Sequence, residues 1–313
     1  MKGLDISRAY WEQCGRPMLA LGFPALLEKV AVGLTGAGSE CFGFDDDVSR
    51  DHDFEPGFCI FLPDEDTVSR REAFLLERTY AKLPASFMGL QRGLIPPAGG
   101  PRRGVLRASE YFQEKVGASD GILTMGQWLA LPEQSLSEAV NGELFYDGFG
   151  EVGRVRQRLH RYPVDIRRKK LAGRLMLMAQ SGLYNYPRCL AHGEPGAAQL
   201  AAVEFVDHAM AAVFLLNEVY MPFYKWRFRA LRQLPRLSLL AELMEYLITT
   251  GNDGELATEK QSVMAGMVQD IVSETVAQGL SAAEGTLPER HAQSVNDGIA
   301  DIDLRNADIL AGV

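Results

Sequence analysis

Four absences narrow the problem before any motif is considered. The chain has no C-x-x-C pair: Cys14, Cys41, Cys59 and Cys189 are its only cysteines and lie far apart. That excludes a zinc knuckle or a dithiol redox site and leaves buried free thiols as the simple reading. It has no excess of positive charge. A formal net charge of -9 argues against affinity for duplex nucleic acid, because displacing counterions from a phosphate backbone takes clustered cations. No run approaches the roughly 18 apolar residues of a membrane span, and Asp5, Arg8, Glu12 and Arg16 interrupt the order of a signal peptide. No G-x-x-x-x-G-K-[ST] occurs, which sets a P-loop enzyme aside. The expectation is a soluble, cytoplasmic protein with no membrane partner.

What is present suggests two packed units, since 313 residues at 47% hydrophobic content exceed most single cores. Residues 5–29 read as helical, with breaks near Gly15-Arg16-Pro17 and at 22–24. Apolar runs at 30–34, 58–62, 104–108 and 144–146 read as short strands, 67–82 as a helix, and 93–104 as an exposed loop. From about Pro163 the pattern changes to long amphipathic segments at 165–180, 195–220, 223–234, 237–249 and 255–278. The predicted class is α+β: a small mixed-sheet domain over 1–160, followed by an α-helical bundle over 161–313. The last stretch, 279–313, reads as loosely held.

Against this background one stretch stands out: GAGSECFGFDDDVSRDHDF, residues 36–54, directly after an apolar strand. Glycines allow a turn with close backbone approach, and Ser39 offers an N–H and a hydroxyl to a phosphate oxygen. Such a turn opening a helix is an anion site, so Gly38 and Ser39 are the candidate phosphate-binding residues. Asp51 and Asp53 are two apart, and in an extended segment their carboxylates share a face. Hard oxygen donors beside phosphates suit magnesium. An EF-hand count from Asp51 fails, with Pro56 where glycine is needed and Leu62 where the bidentate acid belongs. The plain alternative is an acidic, solvated surface loop.

The order Gly38-Ser39, Gly43, then Ser49 and Asp51-His52-Asp53 resembles the G-S-x-x-x-G…S-D-x-D pattern of the DNA polymerase β-like nucleotidyltransferase superfamily, which includes the aminoglycoside (kanamycin-type) nucleotidyltransferases. More closely, residues 38–45 with 49–54 are similar to a bacterial family known only as a domain of unknown function within that superfamily. Tyr162-Pro163-Val164-Asp165, Tyr184-Asn185-Tyr186-Pro187-Arg188 and 216–226 fit it too, so the likeness runs over most of residues 1–240. Three departures are visible. Arg50 separates Ser49 from Asp51, Pro56-Gly57 interrupts the strand that would continue from the second acid, and the third strand carries no acid where the superfamily places a third carboxylate, leaving Glu110 and Asp147 as candidates.

The resemblance implies a magnesium-dependent transfer of a nucleoside monophosphate from a nucleoside triphosphate, ATP foremost, to a small-molecule or protein acceptor, with pyrophosphate released. Asp51 and Asp53 would be the catalytic metal ligands, with Gly38, Ser39 and Lys225 binding the nucleotide. The alternative is a catalytically degenerate sensor or scaffold that binds nucleotide only. A purely helical interaction protein is a third reading. The resemblance implies that the helical half covers the nucleotide, making Lys225 and Arg188 candidates to neutralise its charge, although a helix-surface cation is the plainer assignment for Arg188. Glu204, Asp207, His208 and Glu218 are candidate bases, with His208 expected to pack in the core. The run Arg167-Arg168-Lys169-Lys170 reads as a solvated basic face. Acceptor, nucleobase and oligomeric state stay open.

Overall fold

The computed structural model describes residues 1–48, 55–92 and 103–313. The fold is α+β, with a small mixed sheet among helices and a helical region after it. Two compact units emerge: Met1–Leu123 with Leu131–His160, and Thr124–Ala130 with Arg161–Val313. The short helix Met125–Ala130 therefore packs with the later half of the chain.

In the first unit, short apolar runs make two fully buried central strands flanked by half-buried ones. Strands β1 (Ala31–Leu34) and β2 (Cys59–Leu62) pair antiparallel, with Val32 opposite Ile60. A separate two-residue pair, β3 (Ser86–Phe87) and β4 (Leu90–Gln91), forms its own ribbon. Strand β5 (Gly104–Arg107) runs parallel to β2, and β6 (Glu143–Asp147) runs antiparallel to β1, so the main sheet has the order β5-β2-β1-β6. The β1–β6 register slips between Val32 and Gly33. There the backbones close to a distance only glycine admits, because a Cβ on Gly33 would strike the Glu143 carbonyl. Tyr10, Trp11, Leu19, Val32, Phe58, Ile60 and Leu76 form the core on one face of the sheet. On the other, Phe61 meets Tyr111 edge-on at a 5.3 Å centroid distance. Covered on both faces, the two central strands β1 and β2 have no exposed position to mark with a polar residue.

The expected break near residue 15 is absent. The chain stays helical from Gly3–Tyr10 through a π-helical turn, Trp11–Gly15, into Arg16–Gly22. The widened turn sits just ahead of Pro17, where a donor is missing from the helical ladder. The same device recurs in the second unit, where the π-segment Ala179–Asn185 precedes Pro187.

The second unit is built on Pro195–Leu216, buried along nearly its whole length against Val164–Met178, Leu240–Thr249 and Gly254–Ala277. It is the one described helix long and apolar enough to cross a membrane, and 67% of its apolar window is buried inside the protein. Glu204 and Asp207 break the run of apolar letters without lowering its mean enough to fail that test.

Two expectations about this unit are overturned together. The run at 167–170 is not a solvated face: Lys169 is fully buried and Lys170 nearly so. Nor is the chain after residue 279 loosely held. Helix Pro288–Asp297 packs Ala292 and Val295 fully into the core, followed by Ile302–Asn306. Each error explains the other. Lys169 Nζ donates to Asn296 Oδ1 at 3.0 Å and the Ala307 carbonyl at 2.7 Å, and Lys170 Nζ to the carbonyls of Leu129 at 3.1 Å and Gly312 at 2.7 Å. The lysines hold the tail, and the tail's oxygens make their burial tolerable.

Candidate functional site

Past Leu34 the chain enters a turn, 35–43, that the rest of the first unit holds from several sides. Thr35, buried after the last strand residue, donates its hydroxyl to the Glu138 carbonyl at 2.9 Å. Asn141 grips Gly36 through both amide groups: its Oδ1 accepts the Gly36 N–H at 2.9 Å and its Nδ2 donates to the Gly36 carbonyl at 2.7 Å. Gly142 N–H reaches the Cys41 carbonyl at 2.8 Å. Asn141 is itself placed by Arg156, whose Nη2 donates to the carbonyls of Val140 and Asn141, both at 2.6 Å. These carbonyls close helix Glu133–Val140, and a cation suits that end. Burial pushes the Arg156 pKa down.

The central glycine of the turn has a specific neighbour. Gly38 takes an extended conformation (φ −66°, ψ 145°) and leads into a four-residue 3-10 turn, Ser39–Phe42, which ends at Gly43 with φ 69°. The Glu40 side chain folds back over Gly38, so a Cβ there would collide with the carboxylate. That carboxylate accepts from Arg103 Nη2 at 2.9 Å, while Arg103 Nη1 donates to Glu55 Oε1 at 3.2 Å. Arg103 and Glu40 are 8% and 9% exposed at the side chain and Glu55 25%, so the trio is largely desolvated. Arg103 immediately precedes β5, the strand on which an acid was sought, and here a cation stands at its entry. The surroundings are dry. Burial pushes the Cys59 thiol up to about 12, with nearby Arg103 pulling it down and Glu40 pushing it up. Cys41 is raised by the same principal cause.

Of the sequence candidates, Gly38 and Ser39 occupy this turn. Ser39 is half-buried and opens a 3-10 turn rather than an α-helix, and its carbonyl accepts from the Phe44 N–H at 2.9 Å. Asp51 and Asp53 lie outside the described residues. Within the same acidic stretch Asp45 is structural: its Oδ2 accepts the Gly3 N–H at 2.9 Å and anchors the first helix. Asp46 closes a local turn with Val48 N–H at 3.1 Å. The two candidates for a third acid are elsewhere. Asp147 pairs with Ala31, at the opposite end of β1 from the turn, and accepts the N–H groups of Gly150 at 2.9 Å and Gly153 at 2.8 Å. It caps helix Glu151–Leu159. Glu110 is exposed on helix Ala108–Val116. Among the described residues, no group of three or more His, Cys, Asp or Glu side chains converges to hold a metal.

The remaining candidates belong to the second unit. Lys225 is exposed in the first turn of helix Tyr224–Leu231, its Nζ 4.9 Å from the Trp226 ring centroid. Arg188 is exposed over the Tyr184 ring at 5.9 Å. His208 is buried, with Nδ1 3.0 Å from Arg174 Nη1 and Nε2 3.4 Å from Glu204. Burial first, then Arg174, pushes its pKa down. Asp207 is held by Arg174 and Arg227, and Glu218 by Arg161 and Arg167.

Three residues central to the turn, Glu40, Asn141 and Arg103, were not singled out from sequence. The available signal was modest: an Arg-Arg pair at the entry of an apolar strand, and an Asn-Gly pair just ahead of another.

Comparison with known proteins adds one likeness. Residues 128–227 match a family described as Domain of unknown function (DUF4037). The matched stretch includes Asn141, Asp147, Arg156 and Lys225, and excludes the turn at 35–43, Arg103, Asp51 and Asp53. No curated protein and no solved structure matches the chain.

Proposed function

We propose that this protein is a magnesium-dependent nucleotidyltransferase of the cytoplasm that moves a nucleoside monophosphate from a triphosphate, ATP foremost, to a small-molecule or protein acceptor. The acceptor oxygen or nitrogen would bond to the α-phosphorus, the α–β bridging P–O bond would break, pyrophosphate would leave, and the acceptor's proton would pass to a base or solvent. The observation that carries the reading is the held turn: both hydrogen-bonding groups of Gly36 are fixed by Asn141, and the next glycine is packed by a carboxylate bound to a buried arginine. The Gly36 N–H is spent on Asn141, and what the grip supplies is a backbone held in place at Gly38 and Ser39, where donors fixed in advance stabilise developing phosphate charge without reorganising. Gly38 and Ser39 would meet the phosphates, and a phosphate oxygen arriving there would compete with Glu40 and Glu55 for Arg103.

Asp51 and Asp53 are the proposed metal holders. Glu55, next in the same alternation, is committed to Arg103, leaving a pair of hard oxygen donors suited to magnesium. Bound magnesium would neutralise triphosphate charge. Lys225 is proposed to add a cation to the nucleotide.

A second reading, a nucleotide-binding sensor without chemistry, is favoured by two observations: Asp147 is spent as a helix cap, and an arginine stands at the entry of β5. One experiment separates the two. The protein is incubated with each α-labelled triphosphate, magnesium and a pool of amines, hydroxyl compounds and proteins, while nucleotide binding is followed by calorimetry. Label transfer and pyrophosphate release that vanish in Asp51→Asn establish the transferase. Binding that Asp51→Asn weakens, with no pyrophosphate released, establishes the sensor. No binding of any triphosphate overturns both.

A further inference from the structure

The second unit contains a cleft of about 240 Å³ whose chemistry the proposed reaction does not use. Two arginines, Arg161 and Arg167, and one carboxylate, Glu218, line it beside Tyr162, Val164, Leu215 and Val219. Glu218 is unusual in its backbone. It follows the C-terminal end of helix Pro195–Leu216 with φ 57°, and its own N–H bonds the Leu215 carbonyl while the Val219 N–H bonds the Phe214 carbonyl, both at 3.2 Å. This is the left-handed position that ends a helix and that glycine fills at least cost. A glutamate holds it here because its carboxylate bridges two guanidinium groups: Oε2 accepts from Arg161 Nη1 at 2.7 Å and Oε1 from Arg167 Nη1 at 2.6 Å.

The positive charge exceeds what Glu218 neutralises. Arg167 is fixed by the Leu215 carbonyl at 2.8 Å and Gln278 Oε1 at 2.5 Å. Its pKa is pushed down by burial and by Arg168, Arg161 and Arg236, with Glu218 alone opposing. Arg236 has its own acid, Glu274, at 2.7 Å. Arg161 is 61% exposed at its side chain and gives Glu218 one Nη1 bond, and a guanidinium carries four further N–H donors. Glu218 thus shows which anion the pair accepts: a planar carboxylate, the shape that matches a guanidinium fork. The walls are apolar, with the Tyr162 ring beside buried Leu215, and Val164 and Val219 exposed at 66% and 46%. The volume is below the roughly 300–1,000 Å³ of drug-sized sites.

We infer that this cleft binds a small carboxylate with a short aliphatic tail, the head on Arg161 and Arg167 and the tail on Val164, Leu215 and Val219. Glu218 is then an internal competitor that the ligand displaces from Arg161.

The test is calorimetric titration of the full chain with sodium hexanoate, with hexanol and inorganic phosphate as controls. Hexanoate should bind saturably, hexanol should give no binding heat, and phosphate should bind more weakly. A part-exposed ion pair sets the scale: Glu218→Gln should tighten hexanoate about fivefold and Arg161→Gln should weaken it about as much. A merely structural Glu218 would give the opposite sign or none. If circular dichroism shows Glu218→Gln misfolded, Glu218→Gly, whose residue takes φ 57° without strain, carries the same expectation. Hexanol binding as well as hexanoate, or hexanoate affinity unmoved in the folded Glu218 variant, overturns the proposal. Phosphate binding as tightly as hexanoate overturns the assignment of a tailed carboxylate.

Discussion

Arg103 of the first unit and the buried lysines of the second are satisfied in opposite ways. In the first, Arg103 lies between the carboxylates of Glu40 and Glu55. In the second, Lys169 and Lys260 are wholly buried and bonded to neutral oxygens. Lys260 Nζ takes Gln199 Oε1 at 2.9 Å, the Thr250 carbonyl at 2.9 Å and Asn252 Oδ1 at 2.8 Å, with the Tyr186 ring centroid 5.6 Å away. An ammonium has three donors, and three neutral acceptors satisfy them without committing a second charge to the interior. The arrangement acts as a staple. An arginine between two acids is different, because each partner depends on the others for charge balance and an arriving anion can redistribute the bonds. The Arg103 trio is therefore a charge network that a ligand can rearrange, as the Glu218 cluster of the second unit is, whereas Lys169 and Lys260 are fixed struts.

The largest test of that contrast is Arg103→Ala. It strands Glu40 in a dry site, and removing one partner of a buried ion pair costs about 3–5 kcal/mol. Urea unfolding followed by Trp11, in a variant whose other tryptophans are replaced by phenylalanine, should show that loss, whereas a variant keeping only Trp226 should report little change in the second unit. Equal losses at both probes would break the comparison. Next is Gly38→Ala. The added methyl must move the Glu40 carboxylate, an overpacking cost of about 1–3 kcal/mol, and should weaken triphosphate binding in calorimetry if the turn is the phosphate site. Lys260→Met should cost less, about 1 kcal/mol, since the unbonded acceptors are offset by the lysine's recovered desolvation. The Trp226 transition checks it. Asp147→Ala should cost about 1 kcal/mol as a lost helix cap and leave magnesium dependence of label transfer unchanged; a loss of metal dependence would return Asp147 to the list of metal ligands.

The smallest expected effect is a divergence with pH. In the first unit the Cys41 and Cys59 thiols are raised above 9.0 by burial, Cys59 to about 12. The folded state keeps protons the unfolded chain loses, so this contribution is whole below pH 9 and declines as pH rises toward about 12. In the second unit burial lowers Lys169 and Lys260 below 10.5. Their contribution is whole above 10.5 and lost as pH falls through the depressed values, so it grows as pH climbs. Between pH 9 and 10 the Trp11 midpoint should fall relative to the Trp226 midpoint. Parallel movement would show that buried thiols and lysines do not set the difference.

Much of the architecture was legible. The helix expected at 165–180 is Val164–Met178, that at 255–278 is Gly254–Ala277, and every predicted strand lies within a residue or two of an observed one. Periodicity and β-branching are local properties, so they survive without knowledge of the fold. The site was less legible. Gly38 and Ser39 could be placed in a turn, but not the Glu40 carboxylate that packs on Gly38, nor Asn141 and Arg103, which reach the turn from far along the chain. Charge was misread for the same reason. Lysines at 169 and 170 look solvated until the residues that cover them, more than a hundred positions later, are folded back.

By itself, then, the amino-acid order determined where most of the helices and the sheet strands lie and where the glycine turn falls after β1. Only the tertiary structure decided that the turn is held by an asparagine and an arginine, that Asp147 caps a helix, and that the basic run is an internal strut. The reason is one of range: side-chain period is set by neighbours three or four residues away, whereas the environment of a charge is set by whatever the fold brings against it.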